Sequence, residues 1–225
     1  MRLFAAVMPP REAVDELREA VEAVRDAPPV GDGPALGDGP ALGDGPAPGD
    51  GPAPGDGPAP GHGRPGGRDR LRWTGEAGWH FTLAFMGEVR DELLPDLYAR
   101  LARAAHRTDP FSLRIHGSGH FGERALWVGA AGGLDQMRML AERADAAARR
   151  AGIPMDQHRR YSAHLTLARS HGGTDLHPFL EALAGFEGTP WQVGELSLVR
   201  SNLPPGGAPG EQPRYEVLEA WPLGA

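Results

Sequence analysis

Tyr161-Ser162-Ala163-His164-Leu165-Thr166-Leu167-Ala168-Arg169 decides how this chain reads, because Trp79-His80-Phe81-Thr82-Leu83-Ala84 echoes it. Both stretches contain H-x-T-L-A, and both alternate as a β-strand does. Successive side chains of a strand point to opposite faces. Strict alternation puts His80, Thr82 and Ala84 on one face, and likewise His164, Thr166 and Ala168. Phe81, Leu83, Leu165 and Leu167 then point into a core. Random placement of the chain's histidines and threonines gives about 0.24 H-x-T triplets. Two triplets, both running on into Leu-Ala, therefore call for a common explanation.

The flanking sequence supplies one, an internal duplication. Arg2–Met8 reads as a strand, and Val14, Leu17, Val21 and Val24 mark an amphipathic helix over 11–25. Ordered structure resumes around Leu71-Arg72-Trp73, and Trp79–Phe85 is the first H-x-T strand. Leu93, Leu94, Leu97 and Leu101 then mark a second helix, to His106. Phe111–His116 alternates as a strand, 117–122 reads as a turn, and Ala125–Ala130 as another strand. Leu134–Arg150 is a third helix, with Gly152 at its stop. The second H-x-T strand covers 162–169, a short helix runs over 175–184, and Trp191–Arg200 reads as one strand. A Pro/Gly loop then leads to a closing strand over 215–221. The pattern strand, helix, H-x-T strand occurs twice. The expected fold class is α+β, with two pseudo-symmetric lobes around a central cleft. Each lobe is a small, mainly antiparallel sheet with helices outside.

The first copy is interrupted by low-complexity sequence. From Gly31 to Pro60 the chain repeats GDGPAL twice and GDGPAP three times. Residues 30–69 are expected to be a disordered insertion within a single bilobal domain spanning 1–225. Five of the seven net negative charges are Asp32, Asp38, Asp44, Asp50 and Asp56 in that insertion, so the rest of the chain is nearly neutral. Such a body does not coat nucleic acid non-specifically, yet it can hold one phosphate in a locally positive cleft.

Two absences narrow the chemistry. There is no cysteine, so disulfides, thiolate nucleophiles and Cys-based metal sites are excluded. There is no lysine either, which removes Schiff-base chemistry, a P-loop lysine and a lysyl-nucleotide intermediate. No run of 18 apolar residues is present, and the expectation is a cytoplasmic monomer.

Paired imidazoles and hydroxyls suit acid–base displacement at a phosphodiester. One imidazole takes a proton from the attacking oxygen and the other gives one to the leaving oxygen. The hydroxyls orient the non-bridging oxygens. Neither metal nor cofactor is needed. Among lesser candidates, alternation puts Arg169 on the face opposite His164, although it can still reach phosphate from the strand end. Arg159, Arg160 and Tyr161 are candidate RNA contacts, and Trp73 and Phe121 are candidate stacking surfaces. His116 and His120 have zinc-like spacing only on a helix, which Gly117 and Gly119 oppose.

With these motifs the chain resembles the 2H phosphoesterases, and within them the RNA 2′,3′-cyclic phosphodiesterases, also called the bacterial 2′-5′ RNA ligase family. The motifs are His80-Phe81-Thr82-Leu83 and His164-Leu165-Thr166-Leu167, supported by RLFAAV, HFTLAFMGEV and HLTLAR. The likeness covers nearly all but the Gly31–Gly67 region. It implies metal-independent opening of RNA 2′,3′-cyclic phosphate ends to 2′-phosphomonoesters. His80 would then be the proton donor, His164 the proton acceptor, and Thr82 and Thr166 the phosphate-binding hydroxyls. The alternatives are action on other cyclic phosphates or on 2′-5′ linkages, reversible ligation included, and a non-catalytic RNA-end-binding module. Ala163 departs from the family, which usually has proline there.

Overall fold

The computed structural model describes residues 1–26, 71–156, 161–170, 174–203 and 212–225. The hexapeptide insertion and Arg159, Arg160, His158 and His171 lie outside the described residues. Within them the strands are β1 (Arg2–Val7), β2 (Leu71–Trp73), β3 (Phe81–Glu88), β4 (Phe111–Phe121), β5 (Ala125–Gly132), β6 (His164–Ser170), β7 (Trp191–Val193), β8 (Glu195–Asn202) and β9 (Arg214–Pro222). The α-helices are α1 (Arg11–Asp26), α2 (Leu94–His106), α3 (Leu134–Arg150) and α4 (His177–Ala184). The strands form two antiparallel sheets, ordered β3-β1-β8-β9 and β2-β6-β5-β4-β7.

The duplication is visible in this order. In the first sheet β1 lies beside β3, and in the second β5 lies beside β6, each pair linked through a helix. The helices are exchanged, however. α3, which follows a strand of the second sheet, packs on β3, and α2 packs on α3. α1, which follows a strand of the first sheet, packs with α4 against β4. Leu17 and Val21 of α1 and Met137, Leu140 and Ala144 of α3 join one core cluster with Phe81, Leu113, Leu126 and Leu165.

Three expectations are corrected. Residues 117–121 continue β4 rather than turning. Gly117 (φ 66°) absorbs a register shift between His116 and Ser118, and Gly119 lies under the Trp127 ring, where a Cβ would come within 2.1 Å of ring carbon. The turn is at 122–124. Trp191–Arg200 is two strands, because after Gly194 the chain leaves the second sheet for the first. The sheets are therefore not built half by half: β8 and β9 complete the first sheet, and β2 caps the second.

The third correction concerns the motifs. Ala5 pairs with Ala84 and Ala6 with Thr82, so Leu83 is an extra residue in β3. Leu126 pairs with Ala168 and Trp127 with Thr166, so Leu167 is an extra residue in β6. Each H-x-T strand thus carries a β-bulge at the same motif position. A bulge places two successive residues against one partner and shifts the alternation beyond it. Burial follows: Leu83 and Ala84 are both buried, as are Leu167 and Ala168. Ala84 and Ala168 therefore lie on the core face, not beside the histidines and threonines as strict alternation had them. The residues after them, Phe85 and Arg169, return to the His/Thr face.

Leu167 is fully buried at the bulge. Leu167→Ala should cost about 2–5 kcal/mol, read as a lower urea midpoint at unchanged m-value. A loss below roughly 0.5 kcal/mol, the range of ordinary surface substitutions, would contradict its place in the core.

Candidate active site

The two His/Thr rows lie near one another. β3 and β6 belong to different sheets, yet their Cα atoms approach within 8 Å. The two imidazoles are near enough that charge on His164 lowers the pKa of His80. His80, Thr82, His164 and Thr166 are all half-buried, whereas Phe81, Leu83, Leu165 and Leu167 are buried behind them. The expected split of the motif into a chemical face and a packing face is present in both copies.

The two histidines have unlike surroundings. His80 stacks on Phe4 at 4.6 Å between ring centroids and meets Tyr215 edge-on at 5.0 Å. Its Nδ1 is buried without a hydrogen-bond partner among the described residues. Burial, with a smaller contribution from His164, pushes its pKa down to about 4. His164 lies edge-on to Phe121 at 4.8 Å and near Trp127 at 6.2 Å. Its Nδ1 is 2.9 Å from the Ser162 carbonyl. Burial lowers its pKa and Arg169 adds to that, against the opposing pull of the Ser162 carbonyl.

These contacts select tautomers. A carbonyl only accepts, so Nδ1 of His164 is the donor there, and Nε2 of the neutral ring keeps its lone pair. At His80 a proton on Nδ1 would be a buried donor without an acceptor, which is costly. The neutral ring therefore carries its proton on Nε2. One imidazole offers a lone pair and the other an N–H.

Arg169 is brought to the site. It is exposed, and the bulge turns it to the His164 side, where its charge is felt by the ring. Phe121 also reaches the site, packing against Trp127 and His164. Trp73 does not: it packs edge-on to Phe179 with the Arg25 guanidinium over its ring, on the core side of β2. Tyr161 keeps its hydroxyl buried, and burial pushes its pKa up, so it acts as packing rather than an RNA contact. His116 and His120 lie on a strand, where four residues span about 13 Å, too far to share an ion.

Three site residues escaped the sequence reading. Phe4 and Tyr215 flank His80 from the two ends of the chain, and nothing local to either marks it. Gln212 clasps the lobes: its Nε2 donates to the Trp73 carbonyl at 2.6 Å, and its Oε1 accepts from Gly75 N–H at 2.7 Å. It ties the entrance of β9 to the edge strand β2, which steadies Tyr215 against His80.

Neutral His80 contributes stability that depends on pH. Its folded pKa of about 4 lies below the ordinary 6.5, so between these values the unfolded chain binds the extra proton. That stability is full above pH 6.5 and is lost as pH falls toward 4, by roughly 3 kcal/mol. Urea midpoints from about pH 7 to about pH 4.5 should fall less steeply in His80→Gln than in the parent. Equal slopes would show that His80 is not held neutral by burial.

Comparison with known proteins gives this arrangement its relatives. The profile of the 2′-5′ RNA ligase superfamily matches residues 72–204. The RNA 2′,3′-cyclic phosphodiesterase of Thermus thermophilus is 35% identical over 157 residues, covering 64% of this chain and 71% of that protein. The RNA 2′,3′-cyclic phosphodiesterase of Geobacillus stearothermophilus is 32% identical over 160 residues, 67% of this chain and 47% of the relative. The chain thus spans about half the length of the latter. Among solved structures, a Thermus thermophilus protein superposes with TM-score 0.63 at 26% identity, covering 100% of this chain and 98% of that one. Escherichia coli LigT complexed with 3′-AMP superposes with TM-score 0.65 at 22% identity, covering 99% and 97%. On profile, identity and fold together, this chain belongs to the 2′-5′ RNA ligase superfamily.

Proposed function

We propose that the protein is an RNA 2′,3′-cyclic phosphodiesterase that opens a 2′,3′-cyclic phosphate to a 2′-phosphomonoester. The observation that carries this reading is the unlike Nδ1 environment of two neighbouring imidazoles. His164, with its Nε2 lone pair free, takes a proton from water as the water oxygen attacks phosphorus. The bond from phosphorus to the 3′ oxygen breaks, and that oxygen takes a proton from Nε2 of the His80 imidazolium, which is left as the neutral ring. The product has a 3′ hydroxyl and a 2′-phosphate. Thr82 and Thr166 donate to the non-bridging oxygens, and Arg169 offsets charge on the phosphate from the end of β6. The imidazoles, hydroxyls and guanidinium of this chain supply every proton and hydrogen bond in the sequence of steps. The substrate is an RNA or nucleotide with a cyclic phosphate end, met by a cytoplasmic monomer.

The low pKa of His80 makes it a strong acid that must first be loaded with a proton. A bound phosphate anion beside the ring favours the imidazolium and raises that pKa. Binding of 3′-AMP near pH 6 should therefore take up protons, read as calorimetric heats that change with the ionisation enthalpy of the buffer. Heats independent of buffer would reject proton loading by substrate.

The central test is turnover of cytidine 2′,3′-cyclic phosphate in EDTA, resolving 2′- from 3′-phosphate product. His80→Ala and His164→Ala should each lower kcat by about 100- to 10,000-fold. Full turnover by both variants, or a 3′-phosphate product, would overturn the assignment. A 2′-5′ dinucleotide run in parallel separates this activity from cleavage of 2′-5′ linkages.

A further inference from the structure

β2 is the edge strand of the second sheet, outside β6. Its middle residue, Arg72, is paired directly with Arg169. Leu71 is buried and Trp73 packs on Phe179, so these neighbours point to the core. Arg72 therefore points to the other face, the one that carries His164 and Thr166. Directly opposed residues of antiparallel strands have Cα atoms about 4.5–5.5 Å apart. The fold thus sets two guanidinium side chains together at the rim of the site, in a chain whose net charge is −7.

Two guanidinium-bearing side chains on one face at the rim of the site make a positive patch that suits successive phosphates of a nucleic-acid backbone. Arg169 is the nearer of the two to His164, whose ring feels its charge, and serves the reacting phosphate. Arg72 is one strand farther from the histidines and on the sheet edge, so its charge is misplaced for that phosphorus. It is placed for the next anion along a strand that leaves over the edge. We infer that Arg72 forms a subsite for the phosphodiester on the 5′ side of the terminal nucleotide, so that the protein favours oligonucleotide cyclic phosphates over mononucleotides.

The chemistry fits the residue type. A guanidinium carries five donors in a planar fork that matches two phosphate oxygens. Arg72 and Arg169 each engage other groups as well, and five donors allow such a partner and a phosphate together. Gln212 holds the carbonyl of Trp73, the residue after Arg72. The strand presenting Arg72 is thereby fixed by β6 along one edge and by Gln212 at its end.

This inference rests on the cyclic phosphodiesterase reading, and its test separates the two. KM and kcat are compared for adenosine 2′,3′-cyclic phosphate and for the dinucleotide ApA ending in the same cyclic phosphate. The parent should have the lower KM for the dinucleotide. Arg72→Met, which keeps the aliphatic stem, should raise KM for the dinucleotide about tenfold more than for the mononucleotide. The salt dependence of dinucleotide binding should fall by roughly one ion. Arg72→Lys should restore the salt dependence but only part of the affinity. Equal effects on both substrates, or no dinucleotide preference in the parent, would overturn the subsite. Should the parent turn over neither substrate, the activity reading fails. Anisotropy of a labelled ApApApA with parent and Arg72→Met protein then decides the subsite alone: equal binding sinks it, and weaker binding by the variant supports it.

Discussion

One extra residue at the same motif step in each of two strands governs this site. Leu83 and Leu167 are β-bulges at the same step of the same motif, against β1 and β5 respectively. Up to the bulge, His and Thr face the cleft while their neighbours are buried. At the bulge two buried residues follow in succession, Leu83 with Ala84 and Leu167 with Ala168. Beyond it the strand returns its side chains to the cleft one position out of phase. The motif thereby anchors itself in the core with three side chains while presenting three others to a ligand. Without the bulge, Arg169 would face the core, where an unpaired guanidinium is not tolerated.

The duplication makes the site symmetric in outline, and single residues make it asymmetric in chemistry. After its bulge the first copy presents Phe85, held under the Arg2 guanidinium, while the second presents Arg169. Beside Thr82 the first copy has Ala6, and beside Thr166 the second has Trp127. His80 sits between Phe4 and Tyr215 with no partner for Nδ1 among the described residues, and His164 is hydrogen-bonded through Nδ1 to Ser162. Acid–base catalysis needs two like groups in unlike protonation states. A duplicated motif supplies the likeness, and its non-duplicated neighbours supply the difference.

Interlocking of the halves holds the two walls in register. Each half lends its long helix to the other half's sheet, and the last two strands return to the first sheet. The Gln212 clasp adds a direct tie between the edge strands β9 and β2 at the mouth of the cleft. The long stretch between α1 and β2 enters the sheet through Leu71, one residue from Arg72 and paired to the motif strand β6.

The amino-acid order by itself determined the two H-x-T-L-A rows, their split into buried Phe81, Leu165 and Leu167 and half-buried histidines and threonines, the long helices and the repeated strand-helix-strand unit. All of these are local periodicities, which is why they can be read without a fold. It did not reveal the bulges, because an extra residue is defined only against the strand opposite, and so the facing of Arg169, Ala84 and Ala168 was misread. Nor did it reveal that Trp191–Arg200 divides between two sheets. Phe4, Tyr215, Gln212 and Arg72 became part of the site only in three dimensions. They come from strands far apart in the chain, and the hydrogen-bond register that gathers them is a property of tertiary pairing rather than of any one segment.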